Sequence, residues 1–537
     1  MRIVQPRTMA EIDRLAQEEY GISGLLLMEN AGIKAFQQFL REWKEQDLAT
    51  GKKNKNRNTE NEAIPAVKNR SSLLFIAGGG NNGGDALVMA RQAFLQGPFQ
   101  IKVLLRGAKM NEQVQIHYHI VTQLGIPVMF WEEDEAAARR AIREADVLFD
   151  GISGTGISGA LRGTAAAMVE SLNKDARGYV VAIDVPSGLG DNFLPDYPAV
   201  KADLTLTMGL PKVSLYTPAG RPHGGIIRTI KLGFPPQLLT DVQAEGENAR
   251  GELIVQAGGS SFQPQDYKNV RGHAAIWAGT TGTTGAAALA AEGACRAGAG
   301  LVSVYADQEI YSILAGKLSE VMVRPRQDSQ TEDLSTQFSA LLAGPGWGRT
   351  GRSSILDTLL KSTVPGVIDA DGIHVFRLLW DKMGADTVAN LTQGRWILTP
   401  HPGEYIALVK DSKFEVDKDH LFGNPLAALS PLARELNTVI VLKCHVVWIV
   451  SPEGTYAVVD GMNPAMGTGG SGDVLAGIIT GILASGISPF EAAWRGAALH
   501  QAAGRRAYRD CGWFLAGELA EAVSKVGGDE DELVAEI

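Results

Sequence analysis

Cysteine is scarce in this chain. Three residues, Cys295, Cys444 and Cys511, are spread over 537 positions, and their spacing matches neither a disulfide framework nor a zinc site. That excludes a disulfide-stapled secreted scaffold and leads us to expect a reducing, cytoplasmic setting. Long apolar runs are missing too. Nowhere do about 18 uncharged apolar residues follow one another, so no spanning helix and no membrane partner are expected. The first residues include Glu11 and Asp13 and lack the apolar segment of a signal peptide. Positive charge is in deficit: the formal net charge is −10, which argues against nucleic acid as a partner of the chain as a whole. Anionic ligands stay open, because backbone N–H groups at helix N-termini bind phosphate without a basic surface.

Glycine is what the chain has in excess, with 62 residues clustered between strand-like runs, where a backbone can approach a ligand closely. At this length two to four domains are expected. From 70 to 233 the pattern is strand, glycine turn, helix: SSLLFIAG (71–78), FQIKVLL (99–105), ADVLFDG (145–151) and YVVAIDVPSG (179–188). Continuous apolar strands alternating with helices predict a parallel sheet covered on both faces, with ligands beyond the carboxyl ends of its strands. The stretch 42–72 is polar and rich in Lys and Asn, and reads as an exposed insertion. The first series ends near 238, a polar junction covers 239–252, and a second α/β series follows: 273–279, 301–307, 340–346, 366–372, 395–400 and 439–450 as strands, and 470–486 as a helix that opens on glycines.

In the first series three strands run into glycine turns, GGGNNGGDA (78–86), LFDGISGTGISG (148–159) and AIDVPSGLGDN (182–192). The first can cradle a diphosphate; taken alone it is equally a tight turn with capping Asn and Asp. Asp150, Ser187 and the Asn82 carbonyl are oxygen donors of the kind hard cations use. Asp184 follows four apolar residues, which favours a raised pKa and acid/base work, or a buried structural role. These motifs, with the helical stretch 9–32, resemble the YjeF N-terminal family of NAD(P)H-hydrate epimerases over nearly all of 1–235. The resemblance implies a Rossmann-like three-layer α/β sandwich. It also implies potassium at Asn82, Asp150 and Ser187, with substrate on Asn81, Asn82, Gly83, Gly84 and Asp85, on Gly154, Thr155, Gly156, Ile157, Ser158, Gly159 and Ala160, and on Asp184 as catalytic residue. Ala86 stands where the family commonly has glycine, and the 42–72 insertion is unusual.

In the second series NPAMGTGGSGDVLAG (463–477) puts glycines and Asp473 at a helix N-terminus. Loop N–H groups there can hold phosphate, and Asp473 can take a proton from a hydroxyl, the pairing that phosphoryl transfer needs. TPHPGE (399–404) holds His401 between prolines. Asp369 and Asp371 could bind an ion or cap a turn. With RGHAAIWAG, AGAGLV, AGPG and DADG, these pieces resemble the ADP-dependent NAD(P)H-hydrate dehydratases over about 250–527. That implies a ribokinase-like α/β fold, substrate at Ala286, Gly346, His401 and the catalytic Asp473, and nucleotide (ADP, with ATP open, and Mg2+) on Lys443, Cys444, His445, Val446, Val447 and Gly472. Relatives tend to read LKG with a Thr three residues on; Cys444 and Val447 replace both here.

Together the two resemblances imply a bifunctional repair enzyme: residues 1–238 epimerise the R- and S-hydrates of NADH and NADPH, and residues 253–537 dehydrate the S-hydrate with ADP, forming AMP and phosphate. A homo-oligomer is expected. The alternative is a ribokinase-like vitamin or sugar kinase carrying an inactive N-terminal scaffold.

Overall fold

In the computed structural model of the chain the described residues are 1–53, 71–242, 250–258, 262–326 and 334–526, without the side chains of 45–53. Two compact units emerge, one mainly Arg2–Glu247 and the other mainly Asn248–Leu421 with Pro425–Glu536. Most of the insertion (54–70) and half of the junction (243–249) lie outside the described residues.

The first unit holds a seven-stranded sheet of β1 (Ser72–Ala77), β2 (Gln100–Leu105), β3 (Val128–Phe130), β4 (Val147–Gly151), β5 (Tyr179–Ile183), β6 (Leu204–Met208) and β7 (Ile226–Ile230). The order across the sheet is β3-β2-β1-β4-β5-β6-β7 and every pairing is parallel. The order in which strands are added therefore reverses between β1 and β4, the switch point where doubly wound sheets open a crevice. The apolar runs follow from burial on both faces. Leu73, Phe75 and Ala77 of β1 enter one core, and Leu74 and Ile76 enter the core on the other face. Short strands β3, β6 and β7 were not read from the sequence. The start of the supposed insertion is not exposed: the helix Gly24–Lys53 carries Glu42 and Trp43 into the fold. Glu42 there accepts hydrogen bonds from Arg228 Nε at 2.8 Å and Gln38 Nε2 at 2.7 Å, so its polarity is satisfied in place.

The second unit holds β8 (Gly251–Ile254), β9 (His273–Trp277), β10 (Leu301–Ala306), β11 (Met322–Pro325), β12 (Ala340–Ala343), β13 (Gly366–Ile368), β14 (Trp396–Leu398), β15 (Val439–Leu442), β16 (Val446–Val450) and β17 (Tyr456–Asp460). They lie in the order β8-β17-β16-β15-β14-β13-β12-β9-β10-β11. Pairings from β15 to β11 are parallel, whereas β15–β16 and β16–β17 are antiparallel. The run 439–450, read as one strand, is a hairpin that turns at Lys443–His445. No local signal separates the two, because both arms are fully buried and apolar.

One helix contact fixes the glycine turn of this unit. The helix Ser471–Leu483 lies backbone to backbone on Thr284–Arg296: a Cβ on Gly477 would fall 2.0 Å from Ala290 O, one on Gly481 2.5 Å from Ala294 O, and one on Gly293 2.6 Å from Val474 O. Gly477→Ala should thus destabilise the unit by about 1–3 kcal/mol through overpacking, although Ala is the better helix former. Gly316→Ala, in the helix Tyr311–Lys317 with open space around it, should be neutral or stabilising by up to ~1 kcal/mol. Denaturant midpoints of the two variants check the contrast.

Candidate active sites

The first unit has a cavity of about 540 Å³ at the carboxyl ends of its strands. Of the residues expected at a substrate site, Asn81, Asn82, Gly83 and Asp85 line it, as do Gly154, Thr155, Gly156, Ile157 and Asp184; Gly84, Ser158, Gly159 and Ala160 do not. Gly83 is needed for the tightness of the turn, since a Cβ there would fall 2.0 Å from Gly78 O. The missing glycine at Ala86 is offset by Gly151, whose Cβ would sit 2.8 Å from the Ala86 methyl.

Asp184 does not have the apolar surroundings expected of it. It sits at φ +65°, a region non-glycine residues rarely occupy, and its Oδ1 contacts the Lys212 ammonium. The same oxygen accepts from Met208 N at 3.0 Å and Thr207 Oγ1 at 3.5 Å. All three contacts fall on Oδ1, so Oδ2 is left for the cavity. Lys212 is fully buried and also donates to Thr207 Oγ1 at 3.2 Å and to Met208 O. Two more carboxyls face this pair. Burial pushes Asp13 up to about 6; burial with the Asp184 and Asp13 charges pushes Asp85 well above the usual carboxylate range. Sequence reading missed Lys212 and Asp13. Lys212 lies in an unremarkable GLPKVS stretch, and only the fold brings Asp13 to the cavity.

Behind the cavity Asp150 and Ser187 are both completely buried. Ser187 Oγ donates to Asp150 Oδ1 at 2.6 Å, and Ser187 N donates to Oδ2 at 2.8 Å. Burial raises Asp150 to about 6 against those hydrogen bonds. Asn82 Nδ2 donates to Ser153 O at 2.9 Å, while Asn82 Oδ1 and Ser153 Oγ are buried without a hydrogen-bond partner. The three residues expected at a cation site are brought together through Ser153, and an unsatisfied buried acceptor costs stability unless something fills it.

In the second unit the turn Gly467–Gly470 opens the helix Ser471–Leu483, with Gly470 at φ +93° and Asp473 in the first turn. Lys443 contacts the buried Asp369 and lies 4.0 Å from Glu404 Oε2. Thr399 Oγ1 donates to Asp369 Oδ1 at 2.8 Å. Burial and the Asp369 charge raise Asp473 to about 6, with Lys443 opposing. Asp369 is therefore the lysine's partner, whereas Asp371 caps a turn by accepting from Gly348 N and Arg349 Nε, each at 3.0 Å. His401 caps the helix Pro402–Val409 in a reciprocal box with Glu404. Its Nδ1 accepts from Gly403 N at 3.0 Å and Glu404 N at 3.3 Å, and its Nε2 lies 3.5 Å from Glu404 Oε1. Gly346 and Ala286 are neighbours, a Cβ on the former falling 2.9 Å from the Ala286 methyl. A Cβ on Gly472 would lie 3.5 Å from Lys443 Nζ.

The hairpin changes the reading of the Lys443 loop. Val446 and Val447 belong to β16, and both side chains are buried, so a hydroxyl at 447 would enter an apolar layer instead of reaching a ligand. Cys444 sits in the turn, its thiol pushed up to about 11 by burial.

Two family descriptions match the chain: "YjeF-related protein N-terminus" over residues 24–214 and "NAD(P)H-hydrate dehydratase" over 274–525. A bifunctional NAD(P)H-hydrate repair enzyme of Moorella thermoacetica is 33% identical, covering 100% of this chain and 98% of its own length. One of Coxiella burnetii is 31% identical, covering 95% and 96%. Among solved structures, the ADP/ATP-dependent NAD(P)H-hydrate dehydratase of Bacillus subtilis, co-crystallised with ATP and Mg2+, is 24% identical over 51% of this chain and 95% of its own, with a TM-score of 0.43.

Asp13, with Asp85 and Asp150, in the first unit and Asp473 in the second contribute to the pH dependence of folding, and the buried His500, pushed down to about 4, opposes it in the second. An acid whose pKa is higher folded than unfolded binds its proton more tightly in the fold. Its stabilisation is complete below the unfolded value and is lost as pH rises through about 6. Without ligands, the contribution of these acids to the thermal midpoint of each unit should fall as pH rises through that window. Asp13→Asn should flatten the dependence in the first unit and Asp473→Asn in the second, read by calorimetry across the range.

Proposed function

The chain belongs to the bifunctional NAD(P)H-hydrate repair enzymes, and from that membership we propose which residues do each half of the work. It is an NAD(P)H-hydrate epimerase joined to an NAD(P)H-hydrate dehydratase, and the sugar- or vitamin-kinase reading is not favoured. Epimerisation belongs to residues 1–238 and dehydration to 253–537, with 239–252 between them. The observation that carries this division is that each unit sets an aspartate and a lysine in contact beside a glycine turn at strand carboxyl ends.

In the epimerase the hydroxyl of the hydrated ring leaves as water with a proton delivered from Asp184 Oδ2, and returns to either face of the resulting iminium-like ring. Lys212 keeps the carboxylate fixed by holding Oδ1. Asp13 and Asp85 add carboxyl groups facing the cationic ring. Asp150, Asn82 and Ser187 would hold potassium. The donor set fits a monovalent ion, with one carboxylate that has no cationic side chain among its contacts and one orphaned amide oxygen. Such an ion would supply positive charge beside the Gly154–Ile157 loop.

In the dehydratase the terminal phosphoryl group of ADP passes to the substrate hydroxyl, leaving AMP, while Asp473 takes the hydroxyl proton. Loss of phosphate together with the neighbouring ring proton then restores the double bond. The turn N–H groups and Lys443 balance the charge on the transferring group. Among the described residues no group of three or more His, Cys, Asp and Glu could hold a metal, so Mg2+ would ride on the nucleotide phosphates. Cytoplasmic residence fits a cofactor-repair role; among the described residues no helix is long and apolar enough to cross a membrane.

The test is recovery of the reduced-nicotinamide absorbance from a mixed-epimer hydrate, with and without ADP. Asp473→Asn should cut dehydration by roughly 10²–10⁴ and leave epimerisation and nucleotide affinity in place; a variant within a few-fold of wild type removes Asp473 as the base. Asp150→Ala should do the reverse, slowing epimerisation and abolishing its dependence on potassium while sparing dehydration.

A further inference from the structure

The cavity of the first unit has a cationic side chain that neither the acid/base chemistry nor the cation cluster uses. Arg106 lines it directly after β2, with its N–H bonded to Ala77 O, the last residue of β1, at 3.0 Å. The residue is half-buried, and its guanidinium has no hydrogen-bond or ion-pair partner among the described residues. The segment that follows is fastened to the β1 glycine turn: a Cβ on Gly79 would meet Lys109 O at 2.1 Å, Asn111 N donates to Gly79 O at 3.0 Å, and Asn111 Nδ2 donates to Asn81 Oδ1 at 2.9 Å. Glu132 lies against Gly107 but accepts from Thr164 Oγ1 at 3.3 Å and makes no ion pair with Arg106.

The sheet order fixes how a dinucleotide can lie across these groups. With the reacting ring at Asp184 and Lys212, beyond β5 and β6, and the diphosphate on the turn after β1, the adenosine half extends toward β2. In doubly wound sheets the side chain at the end of that second strand meets the adenosine ribose, where an acid suits a free 2′-hydroxyl and an arginine suits a 2′-phosphate. Resting on the epimerase reading above, we infer that Arg106 receives the 2′-phosphate of hydrated NADPH and makes the first unit selective for it over hydrated NADH. A guanidinium suits this task because its fork meets two phosphate oxygens at once.

The test compares the full-length chain with Arg106→Ala and Arg106→Lys on the hydrates of NADPH and NADH, following epimer interconversion by chromatography. Wild type should show the lower KM for the NADPH hydrate. Arg106→Ala should raise that KM roughly ten- to hundredfold, the usual range for a lost hydrogen bond to a charged group, with kcat and the NADH-hydrate KM within about twofold. Arg106→Lys should recover part of the loss. Equal loss on both hydrates would put Arg106 on a group they share and overturn the inference, as would an unchanged NADPH-hydrate KM. Calorimetric binding of NADP+ and NAD+ to wild type and Arg106→Ala separates this from failure of the epimerase reading. Should wild type interconvert neither hydrate, that reading falls, and the binding arm decides alone: an NADP+ preference that disappears with Arg106 upholds the inference, and no preference in wild type overturns it.

Discussion

An ammonium group cannot be held out of water without a carboxylate to match it, and each unit of this protein arranges its chemistry around such a match. Lys212 is buried against Asp184, and the partly exposed Lys443 contacts the buried Asp369. Removing one partner of a buried pair leaves an uncompensated charge, which typically costs about 3–5 kcal/mol; position and protonation are thereby tied to the stability of the fold. The two sites use the pair differently. In the first unit the carboxylate we propose as the reactive group is the lysine's own partner, held through one of its oxygens. In the second the buried aspartate anchors the lysine, and the carboxyl proposed to react is a third group, Asp473, whose pKa the pair adjusts from both sides.

Backbone strain accompanies both arrangements. Asp184 itself has φ +65°, and Ala370, next to Asp369, has φ +48°. Left-handed geometry at a non-glycine residue costs on the order of 1–3 kcal/mol and persists only where the surroundings over-determine it. The surroundings do so here. Asp184 N donates to Leu206 O and its carboxylate is gripped by Thr207, Met208 and Lys212; Asp369 is fixed by Thr399 and Lys443.

These features differ in how far the sequence reveals them. The long central strands were legible because burial on both faces writes itself as an unbroken apolar run, as in Leu73–Ala77. Short edge strands such as Val128–Phe130 write too little. The hairpin at Lys443–His445 was hidden because its arms are as apolar as a single long strand. The glycine turns announced Asn82, Asp150, Asp184 and Asp473, since glycine clusters beside carboxylates are unusual in a helix or strand. Lys212, Asp13 and the Lys443–Asp369 pair carry no local mark: a lysine is called exposed by default, and only the parallel stacking of strands distant in sequence puts it beside an acid. The Glu42–Arg228 contact misled for the same reason, two charged residues 186 positions apart satisfying each other inside the fold.

The placement of positive charge completes the account of how an acidic chain can handle polyanionic ligands. With a net charge of −10, long-range steering of a dinucleotide toward the surface is unfavourable. Attraction has to come from fixed, short-range donors: the N–H groups of the two glycine turns and a few cations set where the ligand must lie, Lys212 and Arg106 around one cavity and Lys443 at the other site. Charge held this way is screened little by salt and acts only on a ligand already seated. It also leaves the carboxyls free to do acid/base work, because Lys212 and Lys443 each lie beside an acid and not across the surface. The excess of negative charge is thus compatible with the chemistry, and the carboxyls around the first cavity suit the cationic ring proposed there.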